Sequence, residues 1–196
     1  MATLRNQPHR VRSKPSKPSG SLVRVALCCL LVFEVLGAIG PGVSEYDIKA
    51  AFLYNFGKFV TWPAKTFADI HSPLVIGVWG GNVFQGHLQK LINGKAIGGH
   101  PLVFKEVKSL NDAKACQVLF ISHPDAGDWP GMAAALDEAH VLTVSENLAH
   151  FQQTGLIINF VKVQDHIRFA INRAAADQAG LEVSSKLLSL AMPPSP

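Results

Sequence analysis

The chain has 196 residues, 48% of them hydrophobic, and a formal net charge of +4, enough length and apolar content for one ordinary domain with its own core. The charge is uneven: residues 1–44 hold six Lys/Arg against one acidic residue, and residues 45–196 hold twelve against thirteen. The basic character therefore belongs to the leader, and the electrostatic footprint of a nucleic-acid-binding domain is missing from the rest.

Residues 1–20 carry Arg5, Arg10, Arg12, Lys14 and Lys17 among Pro and Ser, and residues 22–43 are almost wholly apolar apart from Arg24 and Glu34. A positive flank, an apolar stretch and then small residues form the layout of a secretory signal. Cleavage after Ser44 is expected, with retention as an anchor the alternative, because the apolar run approaches the ~20 residues that span a bilayer. Cys28 and Cys29 fall inside the leader. Only Cys116 remains beyond it, which excludes an internal disulfide in an oxidising compartment.

The periodicity predicts a helix over residues 45–60, with Ile48, Phe52, Phe56, Phe59 and Val60 on one stripe, ended by Pro63. LVIGVW (74–79) reads as a buried strand. Gly80 and Gly81 turn the chain, and Asn82 is placed to cap a helix through Ile92. Strands are predicted at 101–107, at the apolar CQVLFIS (116–122) and at 141–145, with a helix at 133–139. Unbroken apolar strands alternating with helices imply a mainly parallel sheet covered on both faces. LIINFVKV (156–163) and HIRFAIN (166–172) follow with a short polar link between them, the pattern of an antiparallel hairpin. A helix at 173–179 stopped by Gly180, and a last turn capped by Ser184 or Ser185, complete the chain. The expected architecture is a three-layer α/β/α sandwich with a C-terminal antiparallel hairpin at one edge.

Two stretches go further than pattern. EYDIKAAFLYNFGKFVTWP (45–63) closely resembles the opening of the YfiR-like family, carried by Lys49, Ala50, Phe52, Tyr54, Phe56, Phe59, Trp62 and Pro63. IRFAINRAAADQAGLEVSSKLLSLA (167–191) resembles its ending, and IGVWGGNVF and CQVLFIS fit its middle. The resemblance implies a periplasmic, non-enzymatic repressor of an inner-membrane diguanylate cyclase or sensor protein, limiting cyclic-di-GMP and biofilm output. It also implies release by redox change or by an outer-membrane lipoprotein, and a homodimer. The redox-regulated members use cysteine pairs, and here only Cys116 has a counterpart. That points away from an internal thiol switch and leaves a Cys116–Cys116 link between chains as the remaining form.

Candidate partner- or ligand-binding residues are Trp62, Gly80, Gly81, Phe151, Arg168 and Asn172. Trp62 follows the aromatic helix and suits either core or a binding hot spot. Gly80 and Gly81 lie at a strand's carboxyl end, where open α/β sheets take small ligands, but no dinucleotide fingerprint accompanies them, and a plain turn is the simpler reading. Phe151 reads as core or as an exposed apolar contact. Arg168 and Asn172, on the polar face of the last strand, suit an internal hydrogen-bond network or a partner. Ser122, His123 and Asp125 supply the residue types of a triad without a GxSxG elbow, so a turn is expected there. The histidines show no metal-ligand spacing, and no metal or cofactor is expected. A small-ligand-sensing domain with a pocket at the strand ends is the alternative to the repressor.

Overall fold

The computed structural model describes residues 43–124 and 129–193. Apart from Val43 and Ser44, the expected leader lies outside them. Helix α1 (Glu45–Phe59) starts at a capping box: the Ser44 side chain accepts from the Asp47 N–H at 3.1 Å, and the Asp47 carboxylate accepts from the Ser44 N–H at 3.0 Å. A cut after Ser44 would remove this cap, which is worth about 1 kcal/mol.

Strand β1 (Val60–Thr61) follows α1 without a break and pairs with β9 (Glu182–Val183) in a small antiparallel sheet of its own. The main sheet is built from β2 (Leu74–Trp79), β3 (Ala96–Ile97), β4 (His100–Val107), β5 (Val118–Ile121), β6 (Leu142–Glu146), β7 (Ile158–Val163) and β8 (His166–Ile171). Its order is β3-β4-β2-β5-β6-β7-β8. The five inner strands are parallel, while β3 and β8 close the edges antiparallel. The chain starts this sheet at β2, steps to β4 on one side and then crosses to β5 on the other.

Side chains alternate across a strand, and β5 divides cleanly: Val118 and Phe120 enter one core cluster, Leu119 and Ile121 the other. The first cluster lies under α1, α2 (His87–Ile92), α5 (Arg173–Gln178) and α6 (Ser185–Leu190), which insert Phe56, Leu88, Ala176 and Leu187. The second lies under α3 (Leu110–Lys114) and α4 (Trp129–Glu138), with Ala113, Trp129, Leu136 and Phe151. Both faces are thus covered, as the continuous apolar strands require, and the three-layer α/β/α sandwich with its C-terminal hairpin is the fold.

Several local expectations are corrected. Asn82 does not cap α2: the chain makes turns through residue 86, where Gln85 (φ 47°) and Gly86 (φ 83°) both adopt left-handed backbone, and Gly86 is the cap. Val60 belongs to β1, not to the first helix. Helix α3, capped by Ser109 on the Asp112 N–H, sits in a stretch too short for periodicity to reveal. Phe52 and Phe59 are only half-buried on the α1 stripe, whereas Leu53 and the Lys49 side chain are fully buried.

Candidate functional site

At the carboxyl ends of β2 and β5, where a ligand crevice is expected, the two strand ends pack directly on each other. Gly80 (φ 102°) lies so close to the end of β5 that an added Cβ would fall 2.3 Å from Ser122 Oγ and 2.6 Å from its carbonyl oxygen. The buried Ser122 hydroxyl sits 3.0 Å from the carbonyl oxygens of Trp79 and Gly80. Gly80 is therefore a close-approach glycine, while Gly81 (φ 99°) faces open space and completes the turn. Ser122 is tied to those carbonyls, His123 is exposed in left-handed backbone (φ 57°), and Asp125 lies outside the described residues.

Cys116 is fully buried, its thiol donating to the Asp112 carbonyl at 3.3 Å and packed where Gly77 has no side chain. The Cys116–Cys116 link is thus corrected: a sulfur with no exposed surface cannot reach a second chain from this fold. Burial pushes the thiol pKa from 9.0 up to about 11. A raised thiol pKa means the unfolded chain ionises first, so this contribution is complete below pH 9 and is lost between pH 9 and about 11. Urea midpoints should fall across that window by the equivalent of about 3 kcal/mol. Cys116→Ala should flatten the fall; an unchanged slope would remove Cys116 as its source.

Trp62 is placed in the core, 9% exposed, and its indole N–H is buried with no acceptor among the described residues. It walls a groove of about 650 Å³ at the opposite, amino-terminal end of the sheet, between the end of α1, the 63–70 segment and the β3–β4 turn. No local sequence signal marks this groove, because its walls come from three separated segments. Phe151 is likewise buried, at 6% exposed, so of the readings open for it the structure selects core. Asn172 caps α5, accepting from the Ala175 N–H at 3.2 Å and donating to the Gln152 carbonyl at 3.3 Å. It fastens the Phe151 turn to the end of β8 and is not a surface contact.

Arg168 differs from these. It is exposed on edge strand β8, with no ion pair or hydrogen bond among the described residues, so the internal network envisaged for it is absent. It pairs across the hairpin with Val161, next to the His166–Val163 pair. His166 is exposed and Val163 is 39% exposed. On this side α3 and α4 cover the middle of the sheet, and the Phe151 turn covers only the base of the hairpin. Its tip is left as a mixed basic and apolar surface. Among the described residues, one bridge touches the outer edge of β8: the Met192 N–H donates to the Phe169 carbonyl at 2.8 Å.

A buried ionic cluster was missed by the sequence reading. Lys49 of α1 bonds to Glu45 at 2.5 Å and more closely to Glu146 at the end of β6, and the Tyr46 hydroxyl donates to Glu146 at 3.3 Å. Burial alone would lower the lysine pKa; the hydrogen bonds and charges of Glu146 and Glu45 reverse this and hold it above its usual value. Burial, then the Glu146 charge, raises the Tyr46 pKa. The cluster anchors the start of α1 to the sheet.

Among the described residues, no three His, Cys, Asp or Glu side chains converge as a metal site, and no helix is long and apolar enough to cross a membrane. The class these features define is a doubly wound α/β domain with an antiparallel hairpin at one edge of its sheet. The YfiR/HmsC-like family pattern matches residues 46–192, and the chain belongs to that family. No curated protein matches it.

Proposed function

We propose that this chain is a periplasmic, non-enzymatic regulator that binds and represses an inner-membrane diguanylate cyclase, restraining cyclic-di-GMP and biofilm formation. The observation that carries the reading is the family match across residues 46–192, nearly the whole described domain. The leader layout supports export, and the family match begins two residues after Ser44, where the signal is expected to end.

The tip of the β7–β8 hairpin is the docking surface in this reading. The Arg168 cation and the His166 imidazole are exposed beside the half-open apolar Val163, and arginine among apolar groups is a common hot-spot composition. Deleting the gene is expected to raise intracellular cyclic-di-GMP, and restoring the wild-type gene to return it to baseline. Arg168→Glu, exposed and without a partner in the fold, should leave the thermal midpoint within a degree or two, because surface substitutions of this kind shift stability by no more than about 0.5 kcal/mol. It should still fail to restore repression. Unchanged cyclic-di-GMP on deletion would overturn the repressor reading; full repression by Arg168→Glu would remove the hairpin tip from the interface.

A further inference from the structure

The groove beneath Trp62 carries an assignment independent of any protein partner. Its apolar wall is formed by Val60, Trp62, Phe67, Ile70, Leu74 and Ile97. Ile70 stands 74% exposed at its rim, a costly place for a bare aliphatic side chain. The volume of about 650 Å³ falls in the range of small-molecule sites. The wall is held in place without a ligand: Phe67 stacks on His100 at 3.8 Å between ring centroids, and His100 is held by the Ser72 carbonyl at 2.7 Å.

Two lysines stand at or beside the groove. Lys58 lines it, and Lys95 directly precedes the β3 strand that supplies Ile97. Both ammoniums converge on the ring of Tyr54, at 4.1 and 4.7 Å from its centroid. Neither has an acidic partner among the described residues. Two cations held against one ring are attracted by its π-system but repel each other, and an anion within reach of both would relieve that repulsion. The buried Trp62 N–H, with no acceptor among the described residues, adds an unsatisfied donor to the same wall. The one carboxylate in the lining, Asp69, accepts from the His71 N–H at 2.8 Å and from Ser72, and so is turned into its own loop.

Three aromatic rings touch this region, and each is already engaged. Phe67 is stacked on His100, Tyr54 carries the two lysines, and Trp62 is nine-tenths buried. The rest of the wall is aliphatic, from Val60, Ile70, Leu74 and Ile97.

We propose that the groove binds an aliphatic carboxylate, a free fatty acid, with its anion between Lys58 and Lys95 and its chain along the apolar wall. Octanoate, monomeric at millimolar concentration, is the probe, titrated into the purified protein with intrinsic fluorescence as the readout. Trp62 reports on the groove, whereas Trp79 and Trp129 pack against each other at 5.9 Å in the other core cluster. The expected result is a saturable change that disappears in Trp62→Phe. Affinity should fall about tenfold or more in the Lys58→Glu/Lys95→Glu double variant and for octanol, which lacks the charge. Ala64→Trp, at an exposed lining position, should fill the groove and abolish binding while leaving the melting curve intact. Four results would overturn the proposal: no saturable change with octanoate, full binding by Ala64→Trp, benzoate binding as tightly as octanoate, or binding to phosphatidylglycerol vesicles without binding to octanoate.

Discussion

Lys49→Met is expected to lower the free energy of unfolding by about 3–5 kcal/mol, the usual cost of removing one member of a buried ion pair. The Lys49 side chain is 2% exposed and that of Glu146 is 9% exposed. Without the ammonium, the Glu146 carboxylate keeps, among the described residues, the Tyr46 hydroxyl at 3.3 Å, whereas Glu45, 35% exposed, can turn to water. Glu146→Gln should cost less, since Lys49 keeps Glu45 at 2.5 Å. The double variant should cost less than the two singles combined, because the second change removes the charge that the first one stranded. Urea unfolding of the three variants measures this directly. Additive losses would show that the two groups do not act as a pair. The pH dependence has a definite sign: a lysine pKa held above 10.5 contributes stability that is complete below 10.5 and is lost only above it. The wild-type advantage over Lys49→Met should therefore persist through neutral pH.

That cluster also shows where sequence reading stops. Lys49 and Glu146 are 97 positions apart, and a lysine on an amphipathic helix reads as solvent-facing until a distant strand end delivers its carboxylate. Strands β2, β5 and β6 were legible because burial on both faces leaves no polar interruption, and the hairpin because β8 alternates faithfully. The start of α2 was not, because Asn82 offers a good cap while the left-handed backbone at Gln85 and Gly86 is a tertiary choice that brings Phe84, 2% exposed, into the core. Among the candidate residues, Arg168 is exposed, whereas Trp62, Phe151 and Asn172 are taken up by packing and capping. Aromatic side chains and asparagine serve interfaces, cores and caps alike, and composition does not separate these uses. The groove was illegible for a different reason: Lys58 and Lys95 look like ordinary solvated lysines until the fold sets both against Tyr54.

The family motif in α1 has its own energetic signature. Phe56→Ala is expected to destabilise the domain by about 3–5 kcal/mol, toward the upper end of the range for buried phenylalanine. Phe56 is fully buried and meets Phe52, Phe160 and Phe169 at ring separations of 5.9, 5.7 and 5.2 Å. Phe160 and Phe169 face each other across the hairpin, on β7 and β8. Removing the ring thus opens a cavity between α1 and the strands that carry the proposed docking surface, and each lost aromatic contact adds about 0.5–1.5 kcal/mol beyond its buried area. Phe52 reaches the same two strand rings, at 5.8 and 5.5 Å, but it is half-buried and borders a groove of about 270 Å³ beside Arg168 and Leu190. A void there opens to water instead of being sealed, so Phe52→Ala should cost less than half as much. Denaturant melts of both variants test the order. Equal losses would mean that α1 is held to the hairpin by its outer ring as firmly as by its inner one, and that the buried contacts of Phe56 are not what fixes the hairpin's position.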